Sequence, residues 1–253
     1  MHENITAAVE RQAEMGSSSI VTENRLLSNL PATHIAPLLA LSKTVEVAAG
    51  DAIYDGHSFV KHTYFLEDTL MALVSSAEHG GTVAVAMVGN EGIIGAAALV
   101  DEHILPYRSV ALTSGRLLRI PIGAVRDWLA HDVVFRRRAL RFAHAIFSQV
   151  VQTAACNRFH LTEQRLARWF LLARDRLEGD ILTFTHESLS HMVGTDRVSI
   201  TRASQKLKAQ GLVRYSRGKT TILDHHGLEA ASCECYDVIK NGYDELIRVC
   251  SEK

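Results

Sequence analysis

The sequence predicts an α+β fold in which an N-terminal double-stranded β-helix or jelly-roll barrel is followed by a long dimerisation helix and a C-terminal winged helix-turn-helix. Three patterns predict it: short strands separated by turn residues from about 43 to 120, a helical period from 122 to 160, and a helix-turn-helix pattern at 186–207. The chain has 253 residues, of which 47% are hydrophobic and 22% are charged. This composition supports one large or two small cores and excludes a disordered, collagenous or disulfide-scaffold protein.

Hydropathy and cysteine content predict a cytoplasmic protein with reduced thiols. No run approaches the roughly 18 consecutive apolar residues that a membrane helix needs. The first 16 residues are too polar for the core of a secretory signal. The four cysteines, Cys156, Cys233, Cys235 and Cys250, are too few for a disulfide framework.

Residues 1–24 are predicted to be a flexible arm that ends in the run Gly16 to Ser19, and residues 25–125 to form the β-barrel. Two short helices around Pro31 are predicted to lead into the strands. The best hairpin signal is Gly80-Gly81, between MALVSS and the alternating VAVAMV of 83–88. So much antiparallel pattern in so short a segment favours a small barrel or jelly roll.

Residues 126–160 are predicted to form the dimerisation helix. Apolar residues recur there at steps of three and four, which is the spacing of one helix face. They are Phe135, Ala139, Phe142, Ala143, Ile146, Val150 and Ala154. Because small alanines allow close approach of a second copy, we predict a homodimer interface at Ala139, Ala143, Ile146 and Val150. The alternative is that the stripe packs on the barrel of its own chain.

Residues 161–253 are predicted to form a winged helix-turn-helix domain, completed by a helix from about 227 to 250. Apolar residues at 189, 192, 193, 200, 203 and 207 form the inner face of two helices joined at Gly194, where a positive φ is easy for glycine. Thr185 is placed to cap the first helix. A two-stranded wing turns at Gly218 and carries Arg217 and Lys219.

The outer face of the second helix carries hydrogen-bond donors and short polar groups, which suit base edges and phosphates. They are Arg197, Ser199, Thr201 and Arg202. Residues 186–222 hold seven basic residues against two acidic ones, although the formal charge of the chain is −1. Such a local patch predicts binding to double-stranded DNA. An ordinary helix pair with a solvated basic face is the alternative.

The order of these parts resembles the cyclic-AMP receptor protein and FNR (CRP/FNR) superfamily of bacterial transcription regulators. The resemblance covers about residues 25–225, and its most specific pieces are IIGAAAL, Arg108-Ser109 and the segment from Gly194 to Arg202. It implies a protein that is not an enzyme, binds a palindromic promoter site as a homodimer and works with RNA polymerase.

By position, the resemblance implies base or phosphate contacts for Arg197, Ser199 and Arg202, and DNA-backbone contacts for Thr185, His186 and Lys219. Val198 departs from the family pattern, because many members have a glutamate there that reads a base. We therefore expect a different target sequence.

The resemblance also points to an effector site at Gly95, Ala96, Arg108 and Ser109. In members that bind cyclic nucleotides, a glutamate after the cassette glycine holds the ribose hydroxyl, and the Arg-Ser pair holds the cyclic phosphate. Here Ala96 follows Gly95, so we predict that cyclic AMP is not bound in the usual way. No cofactor is predicted, and the effector is expected to be either another small anion or no small ligand at all. Two alternatives stay open: Glu102 supplies the missing carboxylate, or Arg108 pairs with a local acid.

Other chemistries are not predicted. His186 and His191 are five residues apart rather than four, so HESLSH does not match the zinc protease motif. Cys233 and Cys235, near two histidines, could hold zinc or sense oxidation, but two residues apart on one helix they should point in different directions, so no metal is predicted. The rival functions are an effector-sensing or protein-interaction module without specific DNA binding and, more weakly, a hydrolase in the barrel.

Overall fold

The computed structural model describes residues 22–28, 30–57, 59–78, 80–96, 104–177, 179–216 and 218–251. Most of the predicted N-terminal arm, Glu102 and Arg217 lie outside these ranges. Within them most strands lie in the first half of the chain and most helices in the second, as the predicted fold class requires. No helix in the described ranges combines the length and the apolar character needed to cross a membrane.

Two four-stranded antiparallel sheets form the N-terminal half. The strands are β1 Lys43–Val47, β2 Ala52–Tyr54, β3 His62–Leu66, β4 Met71–Ser76, β5 Thr82–Val88, β6 Ile93–Ile94, β7 Arg108–Ala111 and β8 Gly115–Pro121. One sheet has the order β1-β8-β3-β6 and the other β2-β7-β4-β5. The two four-stranded sheets agree with the predicted jelly roll. The described strands do not close into one continuous barrel, because β6 and β2 are edge strands of two and three residues, too short to extend one ladder into the other sheet.

The hairpin predicted at Gly80-Gly81 joins β4 to β5. Ser76 pairs with Thr82, and the Ala77 N–H donates to the Gly81 carbonyl at 2.7 Å. Gly80 has a φ of +91°, a conformation that side chains disfavour. The glycine pair is therefore explained by the turn that it makes.

One of the two helices predicted around Pro31 forms. It is α1 Ala32–Leu39, with Pro31 at its N-cap. The other is a turn at 25–28, because the Asn24 side chain accepts from the Leu26 N–H and donates to the Leu66 and Gly92 carbonyls. These bonds compete with helix formation and attach the turn to the β half.

The predicted helical region divides at Asp132 into α2 Ile122–His131 and α3 Val133–Phe159. Asp132 is extended, and its carboxylate accepts from the Phe135 N–H at 2.8 Å, which is an N-cap. The long helix therefore begins at 133 rather than at 126.

The C-terminal half contains α4 Thr162–Arg174, β9 Ile181–Leu182, α5 His186–Val193, α6 Arg197–Ala209, β10 Val213–Ser216, β11 Lys219–Ile222, α7 His225–Ala231 and α8 Cys235–Ser251. The prediction of one helix from 227 to 250 is wrong, because the chain becomes extended at Ser232 and its hydroxyl donates to the Glu229 carbonyl. Helix α8 lies along α3: the Tyr243 side chain contacts Gln149, and Arg138 donates to the Cys250 carbonyl at 2.6 Å.

A buried ion pair ties the two halves together. Glu91, in the loop between β5 and β6, accepts from Arg176 just after α4 at 2.8 Å, and the two side chains are 3% and 5% exposed. Burial by itself lowers the pKa of Arg176, but the Glu91 carboxylate outweighs it and holds that pKa above its ordinary value. The guanidinium also lies over the Tyr243 ring, 4.3 Å from its centroid. One arginine therefore contacts both the β half and α8.

Candidate DNA interface and effector cavity

The helix-turn-helix consists of α5 and α6, as the sequence predicts. Gly194 joins them with a φ of +67°, and the predicted inner-face residues at 189, 192, 193, 200, 203 and 207 are buried. Thr185 caps α5 by accepting from the Ser188 N–H at 3.0 Å, and Asp196 caps α6 by accepting from the Ser199 N–H at 2.8 Å. The latter bond is the main reason that the pKa of Asp196 lies below its usual value.

The outer face of α6 presents its predicted DNA-contacting residues unequally. Arg197, Val198 and Arg202 are exposed, whereas Ser199 and Thr201 are half-buried. The Ser199 hydroxyl donates to Asp196 at 2.7 Å, and the Thr201 hydroxyl donates to the Arg197 carbonyl at 2.9 Å. The arginines are therefore better placed than the two hydroxyls to reach a DNA groove.

Arg197 is held loosely by its own domain. Its Nη2 atom lies 3.2 Å from Glu187, with side chains 65% and 61% exposed. Exposed pairs of this kind contribute little to stability, so a phosphate could replace the carboxylate at small cost. His186, at the start of α5, is exposed as well.

The predicted wing is the hairpin of β10 and β11, to which β9 adds a third strand. Gly218 takes the turn with a φ of +77°, and Lys219 is exposed at its tip. Behind α6, Lys206 donates to Glu163 of α4 at 2.7 Å, and this bond lowers the pKa of Glu163. The buried side chains of Ile200, Ala203 and Leu207 hold α6 on the core of its own domain, and the exposed Lys206 bond adds little to this.

A cavity of about 350 Å³ lies between the β2-β7-β4-β5 sheet and α5. Arg108 lies on the sheet side, and Thr185, Glu187 and His191 lie on the helix side. Arg108 also bonds to Asp55 at 3.1 Å, which is the local-acid pairing left open above. The role of α5 as a cavity wall could not be predicted from its residues, because their polar character is typical of a solvated face.

The structure does not bring the other predicted effector residues to this cavity. Gly95 has a φ of +87°, and a Cβ there would lie 2.8 Å from the His62 carbonyl oxygen, so the turn needs glycine for its own reasons. Ser109 is fully buried and its hydroxyl has no hydrogen-bond partner among the described residues. Neither they nor Ala96 line the cavity, and residues 97–103, which follow the cassette, lie outside the described ranges.

Helix α3 has two apolar faces, and the predicted dimer residues lie mainly on the inner one. Ala139 is fully buried within the chain, so its assignment to a subunit interface is wrong. Ile146 and Val150 pack against the core of their own chain, and Ala143 is half-buried. The exposed face carries large apolar side chains instead, at Val133, Leu140, Phe147 and Val151.

The cysteine geometry also differs from the prediction. Helix α7 ends at Ala231 and α8 begins at Cys235, so Cys233 lies in the turn between them. The two thiols therefore converge rather than diverge, and they meet Cys156 and His160 of α3. The spacing of Cys156 and His160, four residues apart on a helix, was the signal in the sequence that was missed.

A winged helix-turn-helix attached to an antiparallel β domain with a facing cavity defines a DNA-binding regulator with a sensor-type domain. Family models match both halves in this order: a cyclic nucleotide-binding domain at 44–132 and a Crp-like helix-turn-helix domain at 164–231. The chain belongs to the CRP/FNR superfamily, and it is a transcription regulator of that type with a helix-turn-helix DNA-binding domain.

Individual relatives agree with this assignment. The chain is 26% identical over 189 residues to the transcriptional regulator SdrP of Thermus thermophilus, an alignment that covers 74% of this chain and 93% of SdrP. FixK2 from Bradyrhizobium japonicum shares the fold with a TM-score of 0.67 at 12% identity, over 76% of this chain and 98% of that one. TTHB099, a CRP-family transcriptional regulator from Thermus thermophilus, matches with a TM-score of 0.64 at 21% identity, over 74% and 96%.

Proposed function

We propose that this regulator binds a palindromic promoter site as a homodimer, contacts RNA polymerase there, and responds to a small anionic effector. The observation that carries the proposal is that the same chain has both an exposed recognition helix, α6, and an exposed apolar face on α3. A single helix-turn-helix reads half of a site, and a second copy related by two-fold symmetry supplies the other half.

The apolar residues on the exposed face of α3 recur at the spacing that is typical of a coiled coil of two helices. Val133, Leu140 and Phe147 lie seven residues apart, and Val151 follows four residues later. Their exposed fractions are 65%, 56%, 66% and 47%. Apolar residues at this period favour a coiled-coil seam with another helix. We assign the dimer interface to this face in place of the inner stripe.

On DNA, Arg202 is assigned to base readout and Arg197 to a base edge or a phosphate. Val198, 60% exposed between them in the first turns of α6, can contact a thymine methyl group but cannot accept a hydrogen bond from cytosine. Lys219 in the wing supplies sequence-independent attraction to the backbone. Thr185 and His186 are positioned at the start of α5, where backbone N–H groups favour a phosphate.

The effector assignment rests on Arg108, the cationic group on the sheet side of the cavity. An anion there would compete with Asp55, which is 73% exposed and can return to solvent. The absence of a glutamate at Ala96 supports an effector other than cyclic AMP.

The test separates assembly from folding. The double substitution Leu140→Glu and Phe147→Glu should give a folded monomer by sedimentation velocity and reduce affinity for a site selected from genomic DNA by about 10³-fold or more, toward non-specific binding. Leu41→Glu is the control, since Leu41 is an exposed apolar residue outside α3.

A variant that still sediments as a dimer would refute the interface. A wild-type chain that binds no genomic fragment above its non-specific level at ~150 mM salt would instead favour a sensing or interaction module.

A further inference from the structure

Four potential metal ligands converge where α3 meets the turn before α8. Cys156 lies in the last turn of α3, and His160 is the extended C-cap residue directly after that helix. Cys233 and Cys235 lie in the turn and at the first residue of α8. All four ligand atoms are within 4.8 Å of one another, although the residues are up to 79 positions apart in sequence.

The distances fit one tetrahedral ion. The sulfur atoms of Cys156 and Cys233 are 3.4 Å apart, and the Cys235 sulfur is 3.6 Å from Nδ1 of His160. Zinc bonds of about 2.3 Å to sulfur and 2.0–2.1 Å to nitrogen give tetrahedral edges of roughly 3.5–3.8 Å. A cluster with several irons would spread its ligands more widely. The arrangement thus matches a mononuclear site without large movement.

We propose that Cys156, His160, Cys233 and Cys235 bind one Zn²⁺ ion in a closed structural site. Three thiolates and an imidazole fill all four positions, so the ion would have no open position for catalysis. Soft thiolate ligands select zinc or cuprous copper over magnesium or calcium. Of zinc and cuprous copper, zinc is the ion that proteins commonly hold in a tetrahedron of three cysteines and one histidine.

A buried arginine supplies the charge that such a site requires. Three thiolates around Zn²⁺ carry a net charge of minus one. Arg168 of α4 is fully buried, and its electrostatic neighbours include all three sulfurs. Its Nε and Nη2 atoms have no hydrogen-bond partner among the described residues, its Nη1 atom donates to Thr153 at 3.4 Å, and the guanidinium carbon lies 4.7 Å from the centroid of the Trp169 ring.

A buried guanidinium without a counter-charge is costly. Neutral thiols would leave Arg168 in that state, whereas a zinc–thiolate centre would compensate it. The geometry of the four ligands and the charge beside them are independent observations that point to the same ion.

Glu234 completes the arrangement from outside. Its carboxylate lies 3.1 Å from Nε2 of His160, while Nδ1 of the same ring faces Cys235. A carboxylate on the far nitrogen of a histidine ligand fixes its tautomer and orientation in many metal sites. Nδ1 would then carry the lone pair that binds the ion.

The site lies beside the junction of the long helix and the DNA-binding domain. His160 is the C-cap of α3, and α4 begins at Thr162. Bound zinc would join the end of α3 to the segment between α7 and α8. It would therefore stabilise the position of the recognition helix relative to α3.

The experiment measures zinc in the full chain, purified under reducing conditions without a histidine tag. Inductively coupled plasma mass spectrometry should find about one zinc per chain in the wild type and less than a tenth of that in Cys233→Ser and His160→Ala. Cys250→Ser should keep its zinc, because Cys250 is equally buried on α8 but lies outside the cluster. Glu234→Gln should weaken zinc binding about 10- to 100-fold in competition with a chelator.

Cobalt gives a second readout that does not depend on a variant folding. Wild-type protein stripped with a chelator and titrated with Co²⁺ should develop the visible and charge-transfer absorption of tetrahedral cobalt bound to thiolates. Wild-type protein without stoichiometric zinc and without this spectrum would overturn the proposal. So would a Cys156–Cys233 disulfide, found by peptide mapping of protein isolated with reductant, because it would consume two of the ligands.

Discussion

The buried Glu91–Arg176 pair gives a sharp prediction, because it is the charged contact that joins the β half to the helical half. Glu91→Gln leaves a guanidinium that is 5% exposed without its carboxylate, and removal of one member of such a pair costs about 3–5 kcal/mol. With an m-value of ~2–3 kcal/mol/M in urea for a chain of this size, the unfolding midpoint should fall by roughly 1–2.5 M.

Replacement of both partners tests the reasoning. Replacing both partners, Glu91→Leu with Arg176→Met, removes the unpaired charge and should restore most of the lost stability, to within about 1–2 kcal/mol of the wild type. Asp180→Asn is the control: Asp180 bonds to Arg174 at 2.6 Å, but the side chains are 50% and 32% exposed, so its loss should cost ~1 kcal/mol or less. If Glu91→Gln is no more destabilising than Asp180→Asn in urea unfolding followed by circular dichroism, the Glu91–Arg176 pair does not stabilise the contact between the two halves.

Three further predictions address the sites. Arg202→Ala should relax base preference at one position of the selected site, at a cost of ~1–3 kcal/mol in binding free energy, whereas Lys219→Ala should weaken binding to all DNA sequences alike and flatten its salt dependence. Gel-shift titrations at several salt concentrations distinguish the two effects. Unchanged base preference in Arg202→Ala would contradict the assignment. Gly194→Ala should destabilise the helix-turn-helix by about 1–2 kcal/mol, because the turn needs a φ of +67° and the new Cβ would lie 3.0 Å from Val83. Gly123→Ala is the control, since no atom lies within 4 Å of a Cβ at that position. Equal melting temperatures for the two variants would refute this prediction. Calorimetry should find no micromolar binding of cyclic AMP or cyclic GMP; micromolar binding that Arg108→Ala removes would show that a missing glutamate at Ala96 does not prevent recognition.

The helix-turn-helix could be predicted in detail because its signals are local. The turn glycine, the cap at Thr185 and the inner apolar positions lie within a short stretch and determine their own geometry. The β hairpin at Gly80 is a similar case. Such features depend little on the rest of the chain.

The interface on α3 could not be assigned from periodicity, because the helix has an apolar outer face and an inner face that includes polar residues. Arg138, Gln149 and Thr153 are all buried there. Arg138 donates to backbone carbonyls, and Gln149 contacts Tyr243. These partners come from distant segments, so no local pattern could show that polar positions face inward.

The metal site was missed for a related reason. The break between α7 and α8 has no glycine or proline, and the sequence therefore reads as one helix on which Cys233 and Cys235 diverge. The extended backbone at Ser232 reverses that conclusion. Convergence with Cys156 then depends on how α8 packs on α3, which is a property of the tertiary fold.

The cavity between Arg108 and α5 has a thermodynamic consequence. Since Thr185 is both a cap of α5 and part of the cavity wall, one helix end would be shared by the proposed effector and DNA binding. An anion that changes the affinity for the operator by some factor must have its own affinity changed by the operator by the same factor. Promoter DNA would then act as an allosteric ligand of the sensor, and the effector concentration at half-saturation would differ between free protein and protein on its site.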